Sequence, residues 1–122
     1  MPHVSLRSTA LLAAATLVAG VLACSDDPAA PAEVETVNVY TAGDVYLPFT
    51  TIVGRGGIVR FHITRGSDND GHNAIFNPNT PGAPPDVPVV MDTTVSRTFN
   101  TLGTFHFICT VHPGMDGEIV VE

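Results

Sequence analysis

Three side chains near the C-terminus of this 122-residue chain combine donor types that bind soft metal ions. Cys109, His112 and Met115 follow one another at a C-x-x-H-x-x-M spacing. A strand that ends at Cys109 and continues into a short loop would bring a thiolate, an imidazole and a thioether to one point. Thiolate and thioether ligands together with imidazole favour copper, so the spacing predicts a copper site.

A second histidine is needed to complete such a site. Two imidazoles and one thiolate in a plane, with a weak axial thioether, form the blue-copper centre that transfers electrons. In the segment 72–76, strand alternation turns His72 inward together with two apolar side chains. The same alternation turns His62 and His106 away from the core, and Met91 is expected to fill the core. His72 is therefore the candidate for the remaining ligand.

The elements that must position these ligands are all predicted to be β-strands. After residue 33 the chain consists of short alternating runs separated by Gly, Pro, Asn and Asp, without a long stretch of helical periodicity. Five prolines between residues 77 and 88 exclude a central strand there and predict a long connection. Seven or eight strands in residues 34–122 favour an all-β, Greek-key sandwich of two sheets.

The residues around the predicted ligands extend the pattern. They are His72-Asn73 upstream and Gly103-Thr104-Phe105-x-Phe107-x-Cys109-Thr110-x-His112-Pro113-x-Met115-x-Gly117. This pattern resembles the cupredoxins of the plastocyanin and amicyanin type, and the two residues between His112 and Met115 match amicyanin. The resemblance implies a cupredoxin-like sandwich with one copper ion per chain, Cu⁺ or Cu²⁺, bound by His72, Cys109, His112 and Met115.

The resemblance also implies roles beyond the ligands. Asn73 and Thr110 would form a bridge between the two ligand segments. The protein would be a monomeric one-electron carrier, not an enzyme, with redox protein partners of the cytochrome, oxidase or dehydrogenase type. A copper-binding module for sequestration or delivery is the alternative, although the sequence lacks the Met-rich or His-rich tracts typical of delivery proteins.

Residues that differ from the usual cupredoxin pattern bear on the route of electrons and on the choice of partner. His112 lies beside Pro113 and Gly114, so we expect its ring edge to reach solvent and to pass electrons across a flat apolar patch. Phe107 stands where many cupredoxins have Tyr, and Val111 where Pro is frequent. The acidic loop before His72, formed by residues 66–71, is not a hallmark of the family.

The first 33 residues predict export. Residues 1–23 read as a signal peptide of the lipoprotein type, because Arg7 precedes an apolar run and Val21-Leu22-Ala23-Cys24 resembles a lipobox. Acylation of Cys24 would anchor the chain in a membrane, on the periplasmic or outer face. Ordinary signal cleavage and an uncleaved anchor are the alternatives. Residues 24–33, rich in Pro, Ala and acid, predict a flexible tether before the domain at 34–122.

Cysteine and charge restrict the possible partners. If Cys24 carries lipid, Cys109 is the sole remaining thiol and cannot form an intramolecular disulfide, so it is either a metal ligand or a small buried hydrophobe. From Cys24 onward there are four Arg, no Lys and twelve acidic residues, a net charge of 4 − 12 = −8. This balance excludes nucleic acid and suits either solubility or a basic redox partner.

Overall fold

The computed structural model describes residues 32–122. These residues form nine strands, most of which alternate between buried and exposed side chains. The predicted signal peptide, and the predicted tether up to residue 31, lie outside these residues. The strands are β1 (Thr36–Thr41), β2 (Tyr46–Leu47), β3 (Thr50–Val53), β4 (Gly57–Ile63), β5 (His72–Phe76), β6 (Val87–Val90), β7 (Thr93–Phe99), β8 (Gly103–Ile108) and β9 (Asp116–Val121).

The strands form two mixed sheets, with the order β2-β1-β4-β7 in one and β3-β9-β8-β5-β6 in the other. The pairs β1/β4 and β3/β9 are parallel, and the remaining pairs are antiparallel. The predicted all-β, two-sheet sandwich is therefore confirmed, with nine strands instead of seven or eight. The additional strand arises at Pro48, which has no N–H to donate, so β2 ends at Leu47 and β3 begins in the other sheet.

An aromatic core joins the two sheets below the C-terminal ligand segment. Phe61 of one sheet meets Phe107 of the other edge to face, with ring centroids 5.5 Å apart, and Phe99 meets Phe105 at the same separation. Such pairs contribute about 0.5–1.5 kcal/mol each beyond their burial. Because Phe105 and Phe107 alternate with exposed residues on β8, the next inward position belongs to Cys109, which is buried.

Gly117 sets the position of β9 beneath this core. A Cβ at residue 117 would lie 2.6 Å from Cζ of Phe107, closer than carbon atoms in proteins approach. The strand can pass under the Phe107 ring only without a side chain. This contact fixes the start of β9, and with it the end of the loop that carries His112.

The expectation that Met91 fills the core is wrong. Met91 is 47% exposed, whereas Val87 at the start of the same segment is fully buried. The reason is that the edge strand β6 ends at Val90 and the chain bends at Asp92, which has a positive φ of 48°. Strand alternation does not continue through a bend, so the side chain of Met91 turns outward.

Among residues 32–122, no helix is long and apolar enough to cross a membrane.

Candidate metal centre

Three of the predicted ligands converge at one end of the five-stranded sheet. His72 begins β5, Cys109 follows β8, and His112 lies in the loop that leads to β9. Because β5 and β8 are antiparallel, the start of one and the end of the other meet at the same end. Cys109 Sγ lies 3.9 Å from His72 Nδ1 and 3.6 Å from His112 Nδ1. The three donor atoms are all within 4.8 Å of one another.

These distances suit a single metal ion. Nitrogen and sulfur atoms bonded to one ion at about 2.0 and 2.3 Å in a trigonal plane lie about 3.7 Å apart. The observed separations from sulfur to the two imidazoles bracket that value. Two imidazoles and a thiolate form the plane of a type 1 copper site, so His72, Cys109 and His112 can bind one copper ion. Zn²⁺ accepts the same donors and is a competitor for the site.

The site is buried, and burial changes the ionisation of His72 and Cys109. Burial, with the nearby positive charge of His112 acting in the same direction, lowers the pKa of His72. Burial alone would raise the pKa of the Cys109 thiol, but hydrogen bonds from the backbone of Asn73 and from His112 outweigh it and leave the pKa below its usual value. A neutral imidazole and a thiolate are the forms that bind a metal.

Backbone hydrogen bonds hold the short ligand loop closed. The Cys109 N–H donates to the Met115 carbonyl at 2.8 Å, and the Met115 N–H donates to the His112 carbonyl at 3.2 Å. Gly114 adopts a positive φ of 84°, which lets the loop turn back within so few residues. The Met115 side chain is only 2% exposed and belongs to the same buried cluster as Cys109.

Asn73 connects the strand of His72 to the loop of Cys109. Its Nδ2 donates to Thr110 Oγ1, and its Oδ1 accepts from the Thr110 N–H, both at 2.8 Å. Asn73 is 4% exposed, whereas Thr110 is exposed, so this pair of hydrogen bonds is half-buried. The two ligand segments are thus linked through side chains as well as through the β5/β8 ladder.

Tyr46 is a neighbour of the site that no sequence pattern indicated. Its hydroxyl donates to the Asn73 carbonyl, and its ring packs edge to face on Phe107 with centroids 4.8 Å apart. Burial, followed by the charge of Cys109, raises the pKa of Tyr46 far above its usual value, so the hydroxyl keeps its proton. The available signal was general: a buried tyrosine needs a hydrogen-bond partner.

The expectation that His112 presents a free ring edge to solvent is wrong. His112 is 7% exposed, and its Nε2 lies 3.1 Å from Asp70 Oδ1 and 3.4 Å from Asp44 Oδ1. The acidic loop before His72, together with Asp44 from the turn between β1 and β2, therefore covers the outer edge of the ring. The interaction with Cys109 raises the pKa of His112, burial opposes it, and the charges of Asp44 and Asp70 add to the increase.

The other two described histidines lie outside the site, as their strand positions predict. His62 bonds to Asn38 at 2.8 Å and to Thr94 at 2.9 Å, on the outer face of its sheet. The side chain of His106 is 62% exposed and lies 3.3 Å from Glu118.

Comparison with solved structures places these features in a family. No family model and no curated protein matches the sequence. A reduced, Cu(I) form of an amicyanin variant at pH 4 is 32% identical, with 71% of this chain and 82% of that chain covered and a TM-score of 0.62. An oxidized amicyanin variant is 28% identical, covering 70% and 81% with the same TM-score. A copper-containing nitrite reductase from Thermus scotoductus shares the fold at 24% identity, over 71% of this chain but 22% of that chain, at a TM-score of 0.62.

A two-sheet sandwich of this topology with a buried His-Cys-His cluster defines the class, and the chain belongs to the cupredoxin family. Within that family its similarity is to amicyanin, a copper protein. The expected copper cofactor is confirmed to this extent: the neighbours hold copper and the cluster can bind one ion.

Proposed function

We propose that this protein is a one-electron carrier with a single type 1 copper. His72, Cys109 and His112 would hold the ion, and Met115 would add a weaker thioether ligand. The observation that carries the proposal is the convergence of two Nδ1 atoms and one Sγ atom, all from residues no more than 7% exposed, on one point. Bound copper supplies a centre that accepts and releases one electron.

The protein's part is to keep the ligands still during that change. The Asn73–Thr110 bridge and the hydrogen bond between Cys109 and Met115 hold both ligand segments on a packed sandwich. A rigid site with one geometry for both oxidation states changes few atomic positions when an electron moves. The amicyanin structures include a reduced Cu(I) form and an oxidized form, which supports the same two states here.

Copper loading tests the metal assignment. Addition of Cu²⁺ to the metal-free protein should give one bound copper per chain, an intense blue absorption and a narrow copper hyperfine splitting in the electron paramagnetic resonance spectrum. The colour should disappear on reduction and return on oxidation. A colourless or pale Cu²⁺ complex would show that the three donors do not form a type 1 site.

We propose that a redox protein docks on an apolar surface beside the ligand loop. Val45, Leu47 and Phe49 are each about half exposed, and they line one depression of about 280 Å³ with Gly114 and Met115. Asp44 and Asp116 lie next to this surface in the sequence, and the domain as a whole is acidic. The fitting partner is therefore a redox protein with an apolar contact patch and basic residues around it.

Replacement of Leu47 by glutamine should slow electron transfer to a basic c-type cytochrome by about tenfold, because loss of one apolar contact costs on the order of 1.4 kcal/mol. Stopped-flow kinetics measures the rate. The control is Leu102→Gln, a change of a leucine of similar exposure beside the first residue of β8, at the end of the strand remote from Cys109. Transfer to hexacyanoferrate, which needs no docking surface, should be unchanged in both variants. Equal cytochrome rates for the two variants would contradict the docking surface and favour copper storage.

We further propose that the chain is exported and held at a membrane by lipid on Cys24, with residues 24–33 as the tether. The apolar run followed by Val21-Leu22-Ala23-Cys24 supports this. Mass spectrometry of protein from the native membrane tests it: an acylated N-terminal Cys24 agrees with the proposal, and an unmodified cysteine contradicts it.

A further inference from the structure

We propose that Asp44 and Asp70 are positioning residues for the copper ligand His112 and that together they favour Cu(II) over Cu(I). This inference rests on the proposed function. It concerns the edge of the His112 ring that faces away from Cys109. From the sequence, solvent is expected at this edge, but two carboxylates lie there.

The geometry fixes the two nitrogens of His112 in opposite roles. Nε2 lies 3.1 Å from Asp70 Oδ1 and 3.4 Å from Asp44 Oδ1, while Nδ1 lies 3.6 Å from Cys109 Sγ. A carboxylate only accepts hydrogen bonds, so Nε2 carries the proton. With a metal bound, Nδ1 would give up its contact with Cys109 Sγ and offer its lone pair to the ion, while Nε2 would keep its proton. Carboxylate partners of this kind orient a histidine ligand and increase its donor strength.

Hydrogen bonds hold the carboxylate of Asp44 and the backbone of Asp70 in place. Asp44 accepts two hydrogen bonds from Ser67, from the N–H at 3.2 Å and from the hydroxyl at 2.7 Å. Asp70 sits in a loop closed by its own backbone, in which the Gly66 N–H donates to the Asp70 carbonyl at 2.9 Å. Arg65 reaches across the same loop to Asn69 Oδ1 at 2.8 Å. The acceptors are therefore in place before a metal binds.

Gly66 shows how tightly this loop packs against the ligand. A Cβ at residue 66 would lie 2.9 Å from Cε1 of His112 and would also collide with the Asp70 carboxylate. The loop backbone thus rests on the imidazole itself. His72 is different, because its buried Nε2 has no hydrogen-bond partner among residues 32–122. His72 is therefore held by packing, whereas His112 is also held by its contacts with the two carboxylates.

The expected consequence is a change in the balance between oxidation states. Loss of one electron from bound copper would raise the charge of the ion by one, and the carboxylates of Asp44 and Asp70 would stabilise the oxidised form. The hydrogen bond to Asp70 acts in the same direction, because it increases the donor strength of His112. No proton needs to leave Nε2 in this step. The carboxylate pair therefore lowers the reduction potential.

Asp70→Asn and Asp44→Asn each remove a charge while keeping a side chain of the same shape. We expect each to lower the ratio of Cu(II) to Cu(I) affinity by about three- to tenfold, which raises the reduction potential by about 30–60 mV, since tenfold corresponds to about 59 mV for one electron. The control is Asp68→Asn, which removes the same charge from the same loop at an exposed position with no hydrogen bond to His112. Voltammetry measures all three. A shift for Asp68→Asn as large as for Asp70→Asn, or no shift for Asp70→Asn, would overturn the proposal.

The ring orientation has a readout that needs no copper. In nitrogen NMR spectra of the metal-free protein, His112 should carry its proton on Nε2 and exchange it slowly with water. In the double variant Asp44→Asn, Asp70→Asn, that preference should weaken, whereas Asp68→Asn should leave it unchanged. A wild-type ring without the Nε2–H preference would contradict the positioning role. Failure of the wild-type protein to turn blue would contradict the proposed function instead, so the two failures are distinguishable.

Discussion

Replacement of Cys109 by serine should abolish the blue colour and weaken Cu(I) binding by more than about 100-fold. Even the loss of a partner outside the ligand set costs metal sites about 10- to 100-fold, and here a soft thiolate is exchanged for a hydroxyl that is a poor ligand for copper. The intense absorption should vanish because it depends on the bond between sulfur and copper. Visible spectroscopy and chelator competition measure the two effects.

The control for this variant is a measurement of whether it still folds. Serine has nearly the same volume as cysteine, so circular dichroism and thermal unfolding of the metal-free variant should show a folded sandwich, destabilised by about 1–3 kcal/mol for the buried hydroxyl. A folded Cys109→Ser protein that still binds copper with an intense blue colour would refute the ligand assignment.

Replacement of Asn73 by alanine should lower the free energy of unfolding of the metal-free protein by about 1–3 kcal/mol. The change removes both half-buried hydrogen bonds to Thr110. Each of these hydrogen bonds contributes about 0.5–1.5 kcal/mol. Urea denaturation measures the difference.

The matched change is Asn38→Ala, at an exposed asparagine that bonds to the side chain of His62. It should cost less than about 0.5 kcal/mol, as surface substitutions usually do. Thr110→Ser keeps both partners for Asn73 and should retain most of the stability. Equal losses in Asn73→Ala and Asn38→Ala would mean that the link between the ligand segments contributes nothing to the fold.

The sequence predicts the parts of this molecule that depend on local pattern. Strand alternation predicts β5 at its observed bounds, and it turns His72 inward. The C-x-x-H spacing brings Cys109 and His112 together because only two residues separate them. The prediction from alternation is wrong at Met91, because the edge strand ends there in a bend that the local sequence does not predict.

The residues that local pattern does not predict depend on contacts between distant segments. Asp70 and His112 are 42 positions apart, and Asn73 and the Thr110 loop are 37 apart. Asn73 was found only because a family resemblance pointed to it, whereas no resemblance pointed to Asp44, Asp70 or Tyr46. Their positions follow from the packing of both sheets, which no short stretch of sequence encodes.

The two ends of the sandwich have a directional consequence. Glu35 accepts a hydrogen bond from the Gly54 N–H at 2.6 Å, and the Arg55 N–H donates to Glu122 at 2.9 Å. Gly103 pairs with Val121 at this same end, so it is the pole of the domain opposite Cys109. The chain therefore enters the described domain at the end remote from Cys109. An attachment through the residues before Glu35, such as the proposed lipid on Cys24, would leave the copper end accessible to a partner.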